Sequence, residues 1–302
     1  MTGKPQDYMY LGIVHGMIYP KVKEDVRAYY DTLEELAEDS YFTAVEVSFP
    51  PDGDYRRAKK ILGSFQGAVA YGAQLVTLDE KYDLADPDDE VRKQAVRRVC
   101  EEIDKSNLLG IRRVEITSGK EAEEADREER EKKFIASLYE ICRYAKERET
   151  EVLLETFDFN VEKRRLLGPS KEAAKVAKIV SQDFTNFGIL LDLSHIPLLG
   201  EDIETSVKLV KDYLRHVHIG NCVIRDTKHP LYGDQHPHFG IQGGEIGVME
   251  VRRFLAACFK YGYLGEGKKV FVSFEVKPSL GKSSKEIINN AKSTLQEAWK
   301  IL

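Results

Sequence analysis

Residues 187–214 read FGILLDLSHIPLLGEDIETSVKLVKDYL, and this stretch contains the unit from which the fold is predicted. Its first part, Phe187–Leu193, is a short apolar segment typical of a β-strand. Its last part, Ile203–Leu214, repeats apolar residues with the period of an amphipathic helix. One strand followed by one helix is therefore the unit to look for elsewhere in the chain.

The same alternation recurs along all 302 residues. Strands that are never adjacent in sequence must pair in parallel through crossover helices, and eight such units close a (β/α)8 TIM barrel. A doubly wound open sheet is the alternative, but no glycine-rich fingerprint follows the first strand, so the barrel is favoured. The predicted strands are Tyr8–His15, Phe42–Ser48, Gln74–Asp79, Ile111–Thr117, Glu151–Phe157, Phe187–Leu193, Leu214–Gly220 and Lys269–Glu275. The predicted helices are Val22–Glu38, Tyr55–Ala70, Asp89–Leu108, Glu128–Lys146, Lys171–Val180, Ile203–Leu214, Val248–Tyr261 and Ser284–Leu302.

No linker rich in proline, glycine or serine divides the chain, so we predict a single domain over residues 1–302. Two helix starts carry capping signals, namely the acidic turn at 86–90 and the capping-box pair Ser283 and Glu286. The longest connection, residues 221–247, follows the seventh strand. A loop of this length is predicted to have a functional role rather than to be a disordered insertion.

Composition limits the class of protein. Hydrophobic residues make up 42% of the chain, which is enough for a large core, and the net charge of −6 argues against a nucleic-acid partner. The four cysteines are far apart, so neither a zinc finger nor a disulfide framework is expected. No apolar run approaches the length of about 18 residues that a membrane span needs, and no secretory signal is visible, so a cytoplasmic protein is expected.

Carboxylates interrupt three of the apolar strands close to their ends: Glu155 on the fifth, Asp192 on the sixth and Glu275 on the eighth. A buried, unpartnered carboxylate costs several kcal/mol or loses its charge. The carboxyl ends of barrel strands meet at one mouth, so these groups and a histidine can be satisfied together by one divalent cation. Separate ion pairs with lysine or arginine are the alternative.

Histidines are concentrated in the second half, where six of the seven lie between His195 and His238. Strand alternation directs both His216 and His218 inward, with His216 one layer deeper, where a hydrogen-bonded core residue is expected. His195 follows Asp192 by three residues and can face the same cavity.

Four short motifs combine these residues: Leu-Leu-Glu155, Leu-Asp192-Leu-Ser-His195, His216-Val-His218-Ile-Gly and Ser-Phe-Glu275-Val-Lys277-Pro278. They resemble the xylose isomerase-like TIM barrel superfamily, which includes ketose 3-epimerases, hydroxypyruvate- and inosose-type isomerases and dehydratases, and endonuclease IV. The resemblance implies one divalent metal ion. Mn²⁺ is the first choice, with Mg²⁺, Co²⁺ or Zn²⁺ as alternatives, and the implied ligands are Glu155, Asp192, His218 and Glu275.

The resemblance also implies an activity, the isomerisation or epimerisation of a sugar or keto-polyol through proton abstraction next to a metal-bound carbonyl. Glu155 and Glu275 would act as acid and base from opposite faces of the substrate. The family's pattern is not complete, because Asn221 stands where the epimerases often have Glu, and Arg225 lies slightly off the expected spacing. The predicted substrate-binding residues are His195, Glu46, Arg225, Lys277 and His236.

The sequence leaves other functions of the protein open. A metal-dependent lyase or dehydratase acting on a keto-sugar would begin with the same proton abstraction. An endonuclease IV-like enzyme would need histidines on strands two and three, which offer Glu46 and Asp79 instead. However, Asp234-Gln-His236 resembles the Asp-x-His of that family, so a second metal stays open.

A non-catalytic sugar sensor is a further alternative. The expected partner is a small sugar or keto-sugar, without nucleic acid or membrane, and the pairing of chains is left open.

Overall fold

Eight parallel strands form one sheet in the computed structural model, which describes residues 3–79 and 81–302. The sheet order is β1-β8-β7-β6-β5-β4-β3-β2. Backbone N–H groups of Thr43 and Ala44 donate to the carbonyl of Leu11, and Val14 bridges to Glu46, so the two end strands also meet. The result is a nearly closed TIM barrel, as predicted. The strands are β1 Met9–Ile13, β2 Val45–Val47, β3 Val69–Gly72, β4 Arg113–Thr117, β5 Glu151–Glu155, β6 Phe187–Asp192, β7 Leu214–Ile219 and β8 Val270–Phe274.

Helices alternate with the strands and cover the barrel. The predicted caps are present: the Asp88 side chain accepts from the N–H groups of Glu90 and Val91, and Ser283 and Glu286 form a reciprocal capping box. None of the helices in the described ranges is long and apolar enough to cross a membrane. The helices are α1 His15–Ile18, α2 Val26–Glu38, α3 Tyr55–Leu62, α4 Gln74–Leu78, α5 Asp89–Leu108, α6 Arg127–Lys146, α7 Ser170–Val180, α8 His195–Leu198, α9 Ile203–Val210, α10 Val248–Lys260 and α11 Ser284–Lys300.

The third predicted strand is wrong. Residues 74–78 form helix α4, whereas the strand is β3, which lies within and just beyond the end of the helix predicted at Tyr55–Ala70. A short apolar run does not by itself distinguish a strand from a helix. Tertiary pairing decides here, because β3 hydrogen-bonds to both β2 and β4. Gln74, rather than Asp79, therefore lies at the carboxyl end of β3.

The barrel interior below the mouth is filled by side chains. Ala44, Ala70 and Phe271 pack together there. The ring of His216 stacks on Phe271, with the ring centroids 4.1 Å apart and the planes 16° from parallel. The register pairs His218 with Ser273, two positions further towards the mouth. His216 therefore lies one layer deeper than His218, as the alternation predicted.

Candidate metal centre and substrate cavity

Four side chains converge at the carboxyl ends of the last four strands. Glu155 and Asp192 are the final residues of β5 and β6, His218 lies in β7, and Glu275 directly follows β8. Each offers one ligand atom, and these atoms all lie within 4.8 Å of one another. We call these four residues the quartet. The structure thus brings together all four side chains that were predicted to be metal ligands.

The ligand atoms of the quartet are arranged to bind a cation. His218 Nδ1 lies 2.7 Å from Glu275 Oε2 and 3.4 Å from Glu155 Oε1. Nevertheless, none of these three buried atoms has a properly aligned hydrogen-bond partner among the described residues. Burial raises the pKa of Asp192, because a charged carboxylate is costly without water or a counter-ion. A divalent cation would coordinate these ligand atoms together and compensate the clustered negative charge.

Neighbouring hydrogen-bond donors hold one oxygen of Glu155 and both oxygens of Asp192. The side-chain amide of Gln74 donates to Glu155 Oε2 over 2.8 Å. The backbone N–H and the hydroxyl of Ser194 donate to Asp192 Oδ1 and Oδ2, each over 2.7 Å. Because Gln74 engages Oε2, the Oε1 atom of Glu155 is left facing the quartet.

Three further buried residues lie next to the quartet inside the barrel: Glu46 of β2, Glu115 of β4 and His216 of β7. We call them the inner cluster. His216 contacts Glu115 through Nδ1 and Glu46 through Nε2, at 2.9 and 3.2 Å. Burial and the Glu46 carboxylate raise the pKa of Glu115 to about 7. Burial also opposes ionisation of Glu46, but the imidazoles of His218 and His216 hold the pKa of Glu46 well below its ordinary value.

A second group of imidazoles surrounds Asp234 on the other side of the quartet. Asp234 Oδ1 lies 3.1 Å from His195 Nε2 and 2.8 Å from His236 Nε2. His195 Nδ1 lies 2.7 Å from the Thr156 carbonyl, and His236 Nδ1 lies 3.1 Å from the Glu275 carbonyl. Burial opposes protonation of His236, but the negative charge of Asp234 outweighs this effect and raises the pKa of His236 to about 9.

The loop after β7 carries Asp234 and His236 into the site. Asn221 fixes both of its ends, because its side chain donates to the His238 carbonyl and accepts from the N–H groups of Cys222 and Ile246. His236 has a φ of 46°, in the left-handed region that non-glycine residues rarely adopt. The predicted functional loop is therefore tied down at its base and contributes side chains to the site.

Gly220 permits this arrangement by leaving space beside His236. A Cβ atom at Gly220 would lie 2.9 Å from His236 Nδ1 and 3.0 Å from the Glu275 carbonyl. We therefore expect Gly220→Ala to lower the free energy of unfolding by about 1–3 kcal/mol, the usual cost of overpacking. Denaturant unfolding measures this change. Gly16→Ala is the control, because its new Cβ meets nothing closer than the Lys23 Cε at 3.8 Å, and equal stabilities of the two variants would contradict the prediction.

A cavity of about 250 Å³ opens above the quartet. Its polar floor contains Glu46, Glu115, Glu155, His218, Asp234, His236 and Glu275. Its apolar wall contains Val14, Met17, Val47, Leu75, Leu78 and Phe157. Three cationic side chains, Lys23, Lys163 and Lys277, complete the lining, and Lys277 Nζ donates to Gln235 Oε1 over 3.0 Å. A small polar molecule with several oxygens fits such a lining.

Three of the five predicted substrate-binding residues line the cavity, and the other two do not. Lys277, His236 and Glu46 line the cavity, although both oxygens of Glu46 face imidazoles. His195 is fully buried outside the lining, with its ring near Phe157. The structure does not bring Arg225 to the cavity. Its side chain is 76% exposed and pairs with Glu245, because the loop directs it outward at that point.

Sequence reasoning missed two residues near the quartet. Gln74 was missed because its segment was predicted to be a strand ending at Asp79. Glu115, on the fourth predicted strand, was given no role. The signal that could have identified it was the one used for Glu155, a carboxylate inside an apolar strand.

Comparisons with known proteins agree with this architecture. L-ribulose 3-epimerase superposes with a TM-score of 0.74 at 18% identity, covering 97% of this chain and 96% of that one. The IOLI protein with a bound zinc atom gives 0.73 at 17% identity, covering 97% and 99%. D-psicose 3-epimerase from Clostridium cellulolyticum H10, solved with D-tagatose, gives 0.66 at 18% identity, covering 97% and 98%. At these identities the likeness establishes the fold alone.

Sequence comparison identifies the family. No curated protein sequence matches the chain. Residues 34–278, most of the chain, match the sequence profile described as xylose isomerase-like TIM barrel. The chain therefore belongs to the xylose isomerase-like TIM barrel family.

Proposed function

We propose that the protein is a divalent-metal-dependent isomerase or epimerase of a sugar or keto-polyol. The observation that carries the proposal is the quartet, whose ligand atoms meet beneath a polar cavity at the barrel mouth. Three of these atoms, on Glu155, His218 and Glu275, have no hydrogen-bond partner among the described residues. Three carboxylates and one imidazole form an oxygen-rich set that suits Mn²⁺, with Mg²⁺, Co²⁺ or Zn²⁺ as alternatives. The ketose 3-epimerases with the same fold support a sugar as substrate.

The bound ion would supply Lewis acidity to a substrate carbonyl and its neighbouring hydroxyl. Glu155 then takes a proton from the carbon beside the carbonyl, which leaves an enediolate. Glu275, protonated from solvent before the step, gives its proton to that carbon from the opposite face, so the configuration inverts. Exchange with solvent then removes the proton from Glu155 and reprotonates Glu275, and the substrate loses no atom. Lys277 donates hydrogen bonds to substrate oxygens, and His236, whose ring nitrogens face the Glu275 carbonyl and Asp234, contacts the substrate from the cavity lining.

A panel of keto-sugars incubated with the protein and Mn²⁺ in D₂O tests the proposal. We expect an isomer of the substrate, either an epimer or an aldose–ketose isomer, that carries solvent deuterium at the reprotonated carbon and is otherwise unchanged in composition, detected by mass spectrometry and NMR. A product that has lost water or an aglycone would instead identify a lyase, in which the enediolate expels a β-substituent. Binding of sugars without turnover in any metal would contradict both and indicate a sensor.

The group around Asp234 favours a second cation as an addition to this proposal. The Nδ1 atoms of His195 and His236 face backbone carbonyls. These two histidines and Asp192 each offer one ligand atom, and these atoms lie within 4.8 Å of one another. A hydrogen bond from the ring nitrogen that does not bind the metal commonly orients a metal-binding histidine. Elemental analysis of the purified protein separates one ion per chain from two. Three zinc ions per chain would favour the nuclease alternative, although the only histidines lining the described cavity are His218 and His236.

A further inference from the structure

We propose that the inner cluster positions the metal ligand His218, with Glu46 as the residue in direct contact. The inference rests on the proposed metal site, since it concerns how one ligand of that site is held. Glu46 was predicted to bind substrate. Its carboxylate is 2% exposed, however, and both of its oxygens lie against imidazole nitrogens.

The residues form a chain in which carboxylates and imidazoles alternate. Glu115 Oε1 lies 2.9 Å from His216 Nδ1, and His216 Nε2 lies 3.2 Å from Glu46 Oε1. Glu46 Oε2 then lies 2.9 Å from His218 Nε2, and the opposite nitrogen of that ring, Nδ1, faces the quartet. The chain therefore connects the barrel interior to the proposed ion.

This geometry determines which nitrogen of His218 carries the proton. An ionised carboxylate only accepts hydrogen bonds, so the ring must donate Nε2–H to Glu46. The lone pair of a neutral ring is then on Nδ1, where the quartet needs a ligand. A ring flipped the other way would leave the buried Glu46 oxygen without this donor, which is costly. The carboxylate also makes the imidazole a more basic ligand.

Two contacts fix the far end of the chain. The ring of His216 stacks on Phe271, which restricts its rotation. The Gln74 amide donates to Glu115 Oε2 over 3.3 Å and to Glu155 Oε2 over 2.8 Å. The inner cluster thus reaches two members of the quartet, His218 through Glu46 and Glu155 through Gln74.

Glu46→Gln tests the proposal without any substrate. Glutamine has the same size, so the fold is expected to persist, but its amide group can present either a donor or an acceptor to His218 and no longer forces the proton onto Nε2. The negative charge is lost. We expect Mn²⁺ to bind about 10–100-fold more weakly, the usual effect of losing a partner of a metal-binding histidine, measured by EPR of free Mn²⁺.

Two controls separate this proposal from the metal site itself. Asp192→Asn removes the negative charge of a quartet ligand and should weaken Mn²⁺ binding strongly. Glu151→Gln, at the far end of β5, should leave it unchanged. If Asp192→Asn binds Mn²⁺ normally, the proposed metal site is wrong. If Asp192→Asn weakens binding but Glu46→Gln does not, only the positioning role is overturned.

A second measurement needs no variant. Nitrogen-15 NMR of the wild-type protein loaded with Zn²⁺ should show a proton on Nε2 of His218 and none on Nδ1. Metal coordination at Nε2, or a proton at Nδ1, would overturn the proposal even if the Glu46→Gln protein failed to fold.

Discussion

Glu155→Gln is expected to reduce turnover of the keto-sugar identified by the panel by at least about 10²–10⁴-fold, the contribution of one general acid–base group. An amide cannot take up the proton that the carboxylate accepts. The substitution also disturbs the contact with Gln74, because two amide groups would then compete for donor and acceptor roles at this position. Initial rates and deuterium incorporation from solvent both measure the effect.

Glu151→Gln is the matched control for this prediction. It makes the same chemical change on the same strand, but at the end of β5 remote from the quartet, where Glu151 pairs with Arg113. Its turnover should equal that of the wild type. A Glu155→Gln protein that is fully loaded with metal and still active would remove Glu155 as the base.

Chelation of the metal is expected to abolish turnover and to lower the Tm by several degrees. The quartet holds three carboxylates within a short distance, and no compensating cation from the described part of the chain contacts them apart from imidazoles. An ion present at 100 times its Kd stabilises the fold by about 2.7 kcal/mol, which corresponds to several degrees for a chain of this length. Thermal unfolding with EDTA and with added Mn²⁺ measures the difference.

The same thermal unfolding experiment on Asp192→Asn shows whether the quartet causes the change in Tm. That variant should lose most of the dependence on Mn²⁺, whereas Glu151→Gln should retain it. Identical Tm values for the wild-type protein with EDTA and with Mn²⁺ would contradict the metal site. Turnover that persists after complete removal of metal would contradict the metal-dependent mechanism.

The sequence was most informative where its signal is local. Short apolar segments separated by amphipathic stretches predicted the barrel, and Asp88 and Ser283 marked helix starts because capping depends on residues only a few positions apart. The nomination of Glu155, Asp192 and Glu275 rested on the cost of placing charge inside apolar strands. Strand alternation also predicted that His216 lies deeper than His218.

Contacts between distant residues were decided only by the tertiary structure. β3 was misplaced because its pairing with β2 and β4 outweighs the local pattern, and this hid Gln74. Arg225 points to solvent because its loop turns it outward. Glu46 and His218 are 172 residues apart, and only closure of the barrel brings them within 2.9 Å. Local periodicity and the burial cost of charge thus specified the barrel and its carboxylates. The partners that orient those groups depend on which strands become neighbours, and no local pattern records that.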